Sequence, residues 1–206
     1  MTHAGNRIYL ASRSPRRREL LSQIGIAFDT LLLREDARRG ADVDETPAPG
    51  ESAQDYVIRV ARDKAEAGWR RIANRRLPPH PVLAADTTVV LDGALIGKPA
   101  AARHAQELLR HLAGRTHQVL TAVAVARDTR IETVLSSSAV EFRELADGEI
   151  GRYVASGEPL DKAGAYAIQG RAAVFVRAIS GSYSGIVGLP LFETAELLGR
   201  YDIAPV

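Results

Sequence analysis

The chain has 206 residues, a formal net charge of +2, 46% apolar and 25% charged side chains, and no cysteine. That length can bury a core, either as one large domain or as two small lobes sharing a cleft. It excludes a disulfide framework, a thiolate metal site and a catalytic thiol, and the net charge is too small to drive non-specific nucleic-acid binding.

The first predicted elements are a short strand, Ile8-Tyr9-Leu10, and a helix beginning after Ser14. Ser14 is a good N-cap, and Pro15 at the first helical position gives up only an amide that would be unpaired anyway. Arg16, Arg17 and Arg18 then crowd the positive end of the helix dipole, where acidic residues are normally favoured. The hydroxyls of Ser12 and Ser14, the free amides and these guanidinium groups together suit a ligand of several negative charges, such as a polyphosphate. The competing reading is a solvated basic helix start in an arginine-rich chain.

A second strand is predicted over 26–33, and then a polar stretch over 34–50 that contains Asp42, Asp44 and Glu45. That stretch is long for a connector, and its acidic cluster could hold a hard cation. Helical spacing runs from Glu51 to about Arg76, with Val57, Val60, Ala61 and Ile72 on one stripe. Lys64 falls on that stripe, so it needs a route to solvent or an anion to meet. Only Lys64, Lys98 and Lys162 among the 27 basic side chains are lysine. In a chain that uses arginine as its generic cation, a retained lysine is a candidate for a compact point charge.

Val82 to Leu91 is a nearly continuous apolar run, typical of a central strand covered on both sides, and Asp86 is the only charge in it. A carboxylate there is costly unless it meets a cation, a metal or strong donors, which favours a catalytic or metal-binding role over a structural ion pair. Asp92-Gly93 predicts a tight hairpin that pairs Leu91 with Ala94 and Val89 with Ile96. Lys98 is thereby delivered close to Asp86, although strict pleating would put it on the face of Thr87. A helix follows over 100–113, then a long hairpin of 116–126 and 131–142, a helix over 146–155, a glycine-punctuated segment over 158–170, a strand over 172–179 and a closing helix with Pro190 in its first turn. Strands alternating with helices predict an α/β fold, and the two hairpins make its sheet mixed. The N-terminus lacks the apolar core of a signal peptide, and no apolar run approaches the roughly 20 residues of a membrane span, so a cytoplasmic location is the expectation.

Several stretches, in order, resemble the Maf-type nucleoside triphosphate pyrophosphatases over essentially the whole chain, 1–206, taken as one unit. They are Leu10-Ala11-Ser12 with Ser14-Pro15-Arg16-Arg17, Ala85-Asp86-Thr87 with Gly97-Lys98-Pro99, Asp161 to Gly170, and Gly181-Ser182-Tyr183 with Val187-Gly188-Leu189-Pro190. The resemblance implies an inosine-triphosphatase-like fold, a mixed twisted sheet flanked by helices in two lobes around a nucleotide cleft. It also implies a divalent metal (Mg2+ or Mn2+), a homodimer, and cleavage of a nucleoside triphosphate to the monophosphate and pyrophosphate. Arg16 resembles the dTTP and UTP branch; the 7-methyl-GTP branch carries a bulky aromatic there. The resemblance places the base on Asp86, specificity on Arg16, Thr87 and Gln169, and phosphate-side cations on Arg17, Lys64 and Lys98. It places the loop acid, beside Asp86 at the metal, on Glu45, with Asp44 the alternative. The Gln169 amide suits a pyrimidine edge, since it can donate to O4 and accept from N3–H of uracil or thymine. A regulator of septum formation that only senses nucleotide is the rival from another class. It has no need for a buried carboxylate facing phosphates.

Overall fold

The computed structural model describes residues 7–34 and 40–205. Residues 1–6, read above for a leader, and 35–39 of the long loop lie outside the described residues. Strand β1 (Arg7–Leu10) leads into helix α1 (Pro15–Gln23), and β2 (Ala27–Thr30) returns beside it. Helix α2 (Ala53–Arg75) is followed by β3 (Val82–Leu91), β4 (Ala94–Ile96) and α3 (Ala102–Leu112). The long hairpin β5 (Thr116–Arg127) and β6 (Arg130–Phe142) precedes α4 (Asp147–Ala155), β7 (Val176–Ser180), α5 (Tyr183–Val187) and α6 (Leu191–Gly199).

These strands form a seven-stranded mixed sheet in the order β2-β1-β3-β5-β6-β7, with β4 also on β3. β2, β1 and β3 run parallel, and the remaining pairs are antiparallel. The Asp92-Gly93 turn pairs Leu91 with Ala94 and Val89 with Ile96, as its type predicts. Three elements depart from the sequence expectation. β2 is shorter, because β1 offers only four partners before the chain turns into α1. The strand expected from Ala172 begins at Val176, because its partner β6 ends at Phe142, opposite Val176; Arg171–Phe175 coils into a 3₁₀ turn instead. The stretch after Gly181 folds into α5, capped by the Ser182 hydroxyl, which the sequence pattern does not indicate.

Alternation along β3 divides its neighbours. Val82 and Ala84 face α2, packing with Val57, Ala61, Ala65 and Ile72. On the opposite face, Leu83 and Ala85 pack with Leu20, Leu21, Leu197 and Leu198 from α1 and α6. Farther along that same face, Val89 and Leu91 join a separate core with Leu109, Phe142, Ile150 and Tyr153. The two cores part at Thr87, which belongs to neither. Helix α2 lies close on the sheet at Gly68, where a Cβ would come within 2.7 Å of the Val82 side chain.

One gap in the ladder positions the site. β1 pairs with β3 only as far as Leu83, and β4 pairs with it only from Val89. Between them one edge of β3 carries no strand, so side chains from both faces of the sheet reach the same opening.

Candidate active site

A cleft of about 1080 Å³ opens over that bare edge, with Asp86, Thr87, Lys64, Arg17 and Lys98 in its lining. It is large enough for a nucleotide. On the α2 face, Lys64 Nζ lies 2.8 Å from Asp86 Oδ1 and 3.0 Å from Glu45 Oε1. Lys64 and Asp86 are largely buried, at 16% and 12% side-chain exposure, whereas Glu45 is half exposed. The tight seat of α2 at Gly68 explains the reach, because Lys64 lies one helical turn earlier on the same face.

Glu45 owes its place to the loop backbone. Arg59 on α2 donates to the carbonyls of Asp44 and Thr46 at 3.0 Å each, while Glu51 holds the same guanidinium at 2.6 Å. Tyr56 donates its hydroxyl to the Glu45 carbonyl at 3.0 Å. Burial, followed by the nearby Asp86 and Glu45 charges, pushes the Tyr56 phenol up to about 12, so it remains a donor. Asp44, the alternative loop acid, turns back to accept from the Thr46 amide at 2.8 Å. Glu45 is therefore the carboxylate that meets Lys64.

On the other face the polar groups are braced by hydrogen bonds to one another and to backbone. Arg17 Nε donates to the Gly188 carbonyl at 2.8 Å, Nη1 to Ser12 Oγ at 3.3 Å and Nη2 to Thr87 Oγ1 at 3.1 Å. Burial lowers the pKa of Arg17, and Asp86 and Glu45 oppose that shift. Gly188 has φ +132, a backbone region that side-chain-bearing residues rarely adopt, and it brings its carbonyl to Arg17. Ser12 Oγ also accepts from the Ser14 amide at 3.2 Å, and Ser14 Oγ caps α1 by accepting from the Arg17 amide at 3.4 Å. The first turn of α1 has no acidic residue, so its dipole end faces the cleft uncompensated.

A family model described as Maf-like protein matches residues 7–201. The chain belongs to the Maf-like protein family. It is 60% identical over 204 residues to a Nitrosomonas europaea protein named dTTP/UTP pyrophosphatase, a match covering 99% of each chain. It is 61% identical over 196 residues to an Aromatoleum aromaticum protein of the same name, covering 95% of each. Among solved structures, a HAM1 protein from Coxiella burnetii overlays with a TM-score of 0.48 at 18% identity, over 94% of this chain and 98% of that one.

The cleft of this Maf-like chain gathers Ser12, Ser14, Arg16, Arg17, Glu45, Lys64, Asp86, Thr87, Lys98 and Gln169, whereas Arg18 of the basic helix start and Asp42 of the acidic stretch lie outside its lining. They differ in their engagement. Arg17, expected as a phosphate-side cation, has three of its five N–H groups committed within the protein. Lys98 and Gln169 are exposed in the lining, and Arg16 is half-buried there. Lys162, the third retained lysine, is tied to Asp161 Oδ1 at 2.5 Å and to the Glu158 carbonyl at 2.7 Å. Three participants escaped the sequence reading: Arg59 and Tyr56, which place Glu45, and Thr121, whose hydroxyl lies 3.0 Å from that of Thr87. Thr121 had a usable signal, since it is a polar residue inside the apolar run Val119 to Ala126.

Proposed function

We propose that this chain hydrolyses dTTP and UTP to the nucleoside monophosphate and pyrophosphate. The observation that carries this is Asp86, a carboxylate in a core strand, held 2.8 Å from Lys64 in a nucleotide-sized cleft faced by an arginine-rich helix start. The names of the full-length relatives point to the same substrates. The proposal takes the whole chain as one unit, a cytoplasmic homodimer acting on free nucleotides, with no nucleic-acid or membrane partner. No described helix is long and apolar enough to cross a membrane.

The donor set fits a divalent cation that arrives with the substrate. Among the described residues no group of three or more acidic or histidine side chains could hold a metal unaided. Glu45 and Asp86 around one ammonium leave a net negative pair of carboxylates, and Mg2+ commonly takes one or two carboxylates, with phosphate oxygens and water completing its shell. When bound between Glu45, Asp86 and the triphosphate, Mg2+ or Mn2+ would neutralise charge on the pyrophosphate leaving group. Asp86 orients or deprotonates the attacking water. Lys64 turns from its carboxylates toward phosphate oxygen, joined by Lys98 from the rim and by the N–H groups that Arg17 keeps free. Ser12, Ser14 and the Arg16 amide at the start of α1 receive the phosphate chain. Arg16, Thr87 and Gln169 choose the base.

The test is pyrophosphate release from dTTP, UTP, CTP and 7-methyl-GTP, assayed side by side with and without Mg2+. Turnover of dTTP and UTP is the expected result. Preference for the methylated purine would move the chain to the other branch, and no release from any of the four would favour a nucleotide sensor.

A further inference from the structure

Thr121 lies on β5 directly opposite Thr87 in the antiparallel register, at 1% exposure. A hydroxyl has one hydrogen to donate and two lone pairs with which to accept. Thr121 gives its hydrogen to the Gly185 carbonyl at 2.8 Å. That carbonyl belongs to the end of α5, where the last carbonyls lack helical amides, and the Leu189 amide that could have met it goes to Ser184 instead. The Thr121 proton is therefore committed. The 3.0 Å contact between the two hydroxyls then requires Thr87 as donor and Thr121 as acceptor. Arg17 Nη2, which can only donate, occupies one lone pair of Thr87 at 3.1 Å. Thr87 is left with one lone pair and no hydrogen, so a ligand meets it as an acceptor only.

Polarity of this kind matters for telling uracil from cytosine. The ring atom N3 carries a hydrogen in uracil and thymine and a lone pair in cytosine. A glutamine amide reads both equally well by turning over, since its two ends are a donor and an acceptor. Gln169 sits exposed on the cleft lining, so its amide alone does not impose one polarity. A hydroxyl whose proton is held by the core does.

We propose that Thr121 is a specificity-determining positioning residue. By holding the Thr87 proton, it presents Thr87 as a fixed acceptor to the imide N3–H of uracil or thymine and sets it against the bare N3 of cytosine. Given the pyrimidine nucleotides proposed above, on which this rests, the discrimination comes from an unfavourable lone-pair contact with the wrong base as much as from a bond to the right one.

The test is the ratio of kcat/KM for UTP to that for CTP in T121V and T121S. Valine keeps the shape but frees the Thr87 hydrogen to turn toward cytosine N3. The ratio falls by about tenfold in T121V, chiefly through a gain for CTP, whereas T121S, which restores the hydroxyl, keeps the native ratio. A merely structural loss would lower both nucleotides together. Calorimetric affinities for UMP and CMP give the same comparison without turnover. An unchanged ratio in T121V with native melting behaviour overturns the role of Thr121. If T121V fails to fold, T87V takes its place: it loses the bond to UMP and relieves the clash with CMP together, so the ratio falls there too, and an unchanged ratio there overturns the proposal equally. A native protein that releases no pyrophosphate but still favours UMP over CMP would refute the enzymatic proposal and leave this one standing. Equal binding of UMP and CMP by the native protein would sink this one.

Discussion

The two faces of β3 bring opposite kinds of chemistry to one opening. On the α2 face, three charges from three elements, Asp86, Lys64 and Glu45, hold one another at 2.8 and 3.0 Å. On the α1 and α5 face, Arg17, Thr87, Thr121 and Ser12 form a hydrogen-bonded chain that ends on the Gly185 and Gly188 carbonyls. The charged cluster is half open, and an incoming polyanion or cation can exchange for either of its ion pairs. The hydroxyl chain ends on backbone, so no ligand can replace its partners without moving α5. On the function proposed above, the difference implies a division of labour, in which the face that can rearrange carries the reaction and the face that holds still helps to select the nucleotide.

The largest break in that contrast is Asp86→Asn. The amide keeps the volume but loses the charge that faces Lys64, and pyrophosphate release from dTTP should fall by about a thousandfold with the protein still folded. Near-normal turnover in a folded variant would remove Asp86 from the chemistry. Arg17→Lys attacks the other face. One ammonium cannot reproduce the fork that reaches Ser12, Thr87 and the Gly188 carbonyl together, so kcat/KM for UTP should drop by roughly tenfold to a hundredfold. The loss should appear in KM as well as kcat, because the wall that seats the nucleotide loosens while the N–H groups proposed to meet phosphate shift with it; an unchanged KM would mean that Arg17 does not seat the nucleotide.

The last prediction concerns stability, not activity, at the far end of the braced face. His117 Nε2 lies 2.8 Å from the Tyr166 hydroxyl, its ring meets Phe142 edge-on, and its Nδ1 is buried without a partner among the described residues. Burial pushes the His117 imidazole down to about 4 from its ordinary 6.5. The folded protein therefore holds His117 neutral in a pH range where the unfolded chain protonates it. The corresponding stability is fully present above the unfolded value and is lost as pH falls from about 6.5 to about 4, by on the order of 3 kcal/mol. Denaturant unfolding at a series of pH values should show His117→Gln sparing that acid-side loss relative to the native chain. Parallel pH profiles for the two proteins would mean that His117 takes up its proton alike in the folded and unfolded states.

Much of this site was legible one residue at a time. Asp86 stood out because a carboxylate in an apolar run is a local anomaly, and Lys64 because it broke an apolar helical stripe. The Asp92-Gly93 turn set its own register, since a two-residue hairpin leaves no choice of pairing. The family motifs gathered Arg16, Thr87, Lys98 and Gln169 before any coordinate did, and all four line the cleft. What escaped were relations between residues. Whether Asp44 or Glu45 would meet Lys64 depended on Arg59 and Tyr56 gripping the loop backbone, and backbone carbonyls leave no mark in a sequence.

The sequence by itself determined most of the elements, though not α5 or the start of β7, and with them the mixed sheet and the identity of the groups that could do phosphate chemistry. Those depend on periodicity, turn residues and the cost of burying charge, all local quantities. Tertiary structure alone decided how each group is engaged. The gap in the ladder between Leu83 and Val89 let opposite faces of one strand share a cleft, which strict alternation forbids within a continuous sheet. The Gly188 carbonyl, 171 residues away, turned Arg17 from a free cation into a brace. Thr121, 34 residues from Thr87, removed its proton from the substrate's reach. A hydrogen bond is set by distance and by which partner has a proton left to give, and both emerge only once the chain has folded.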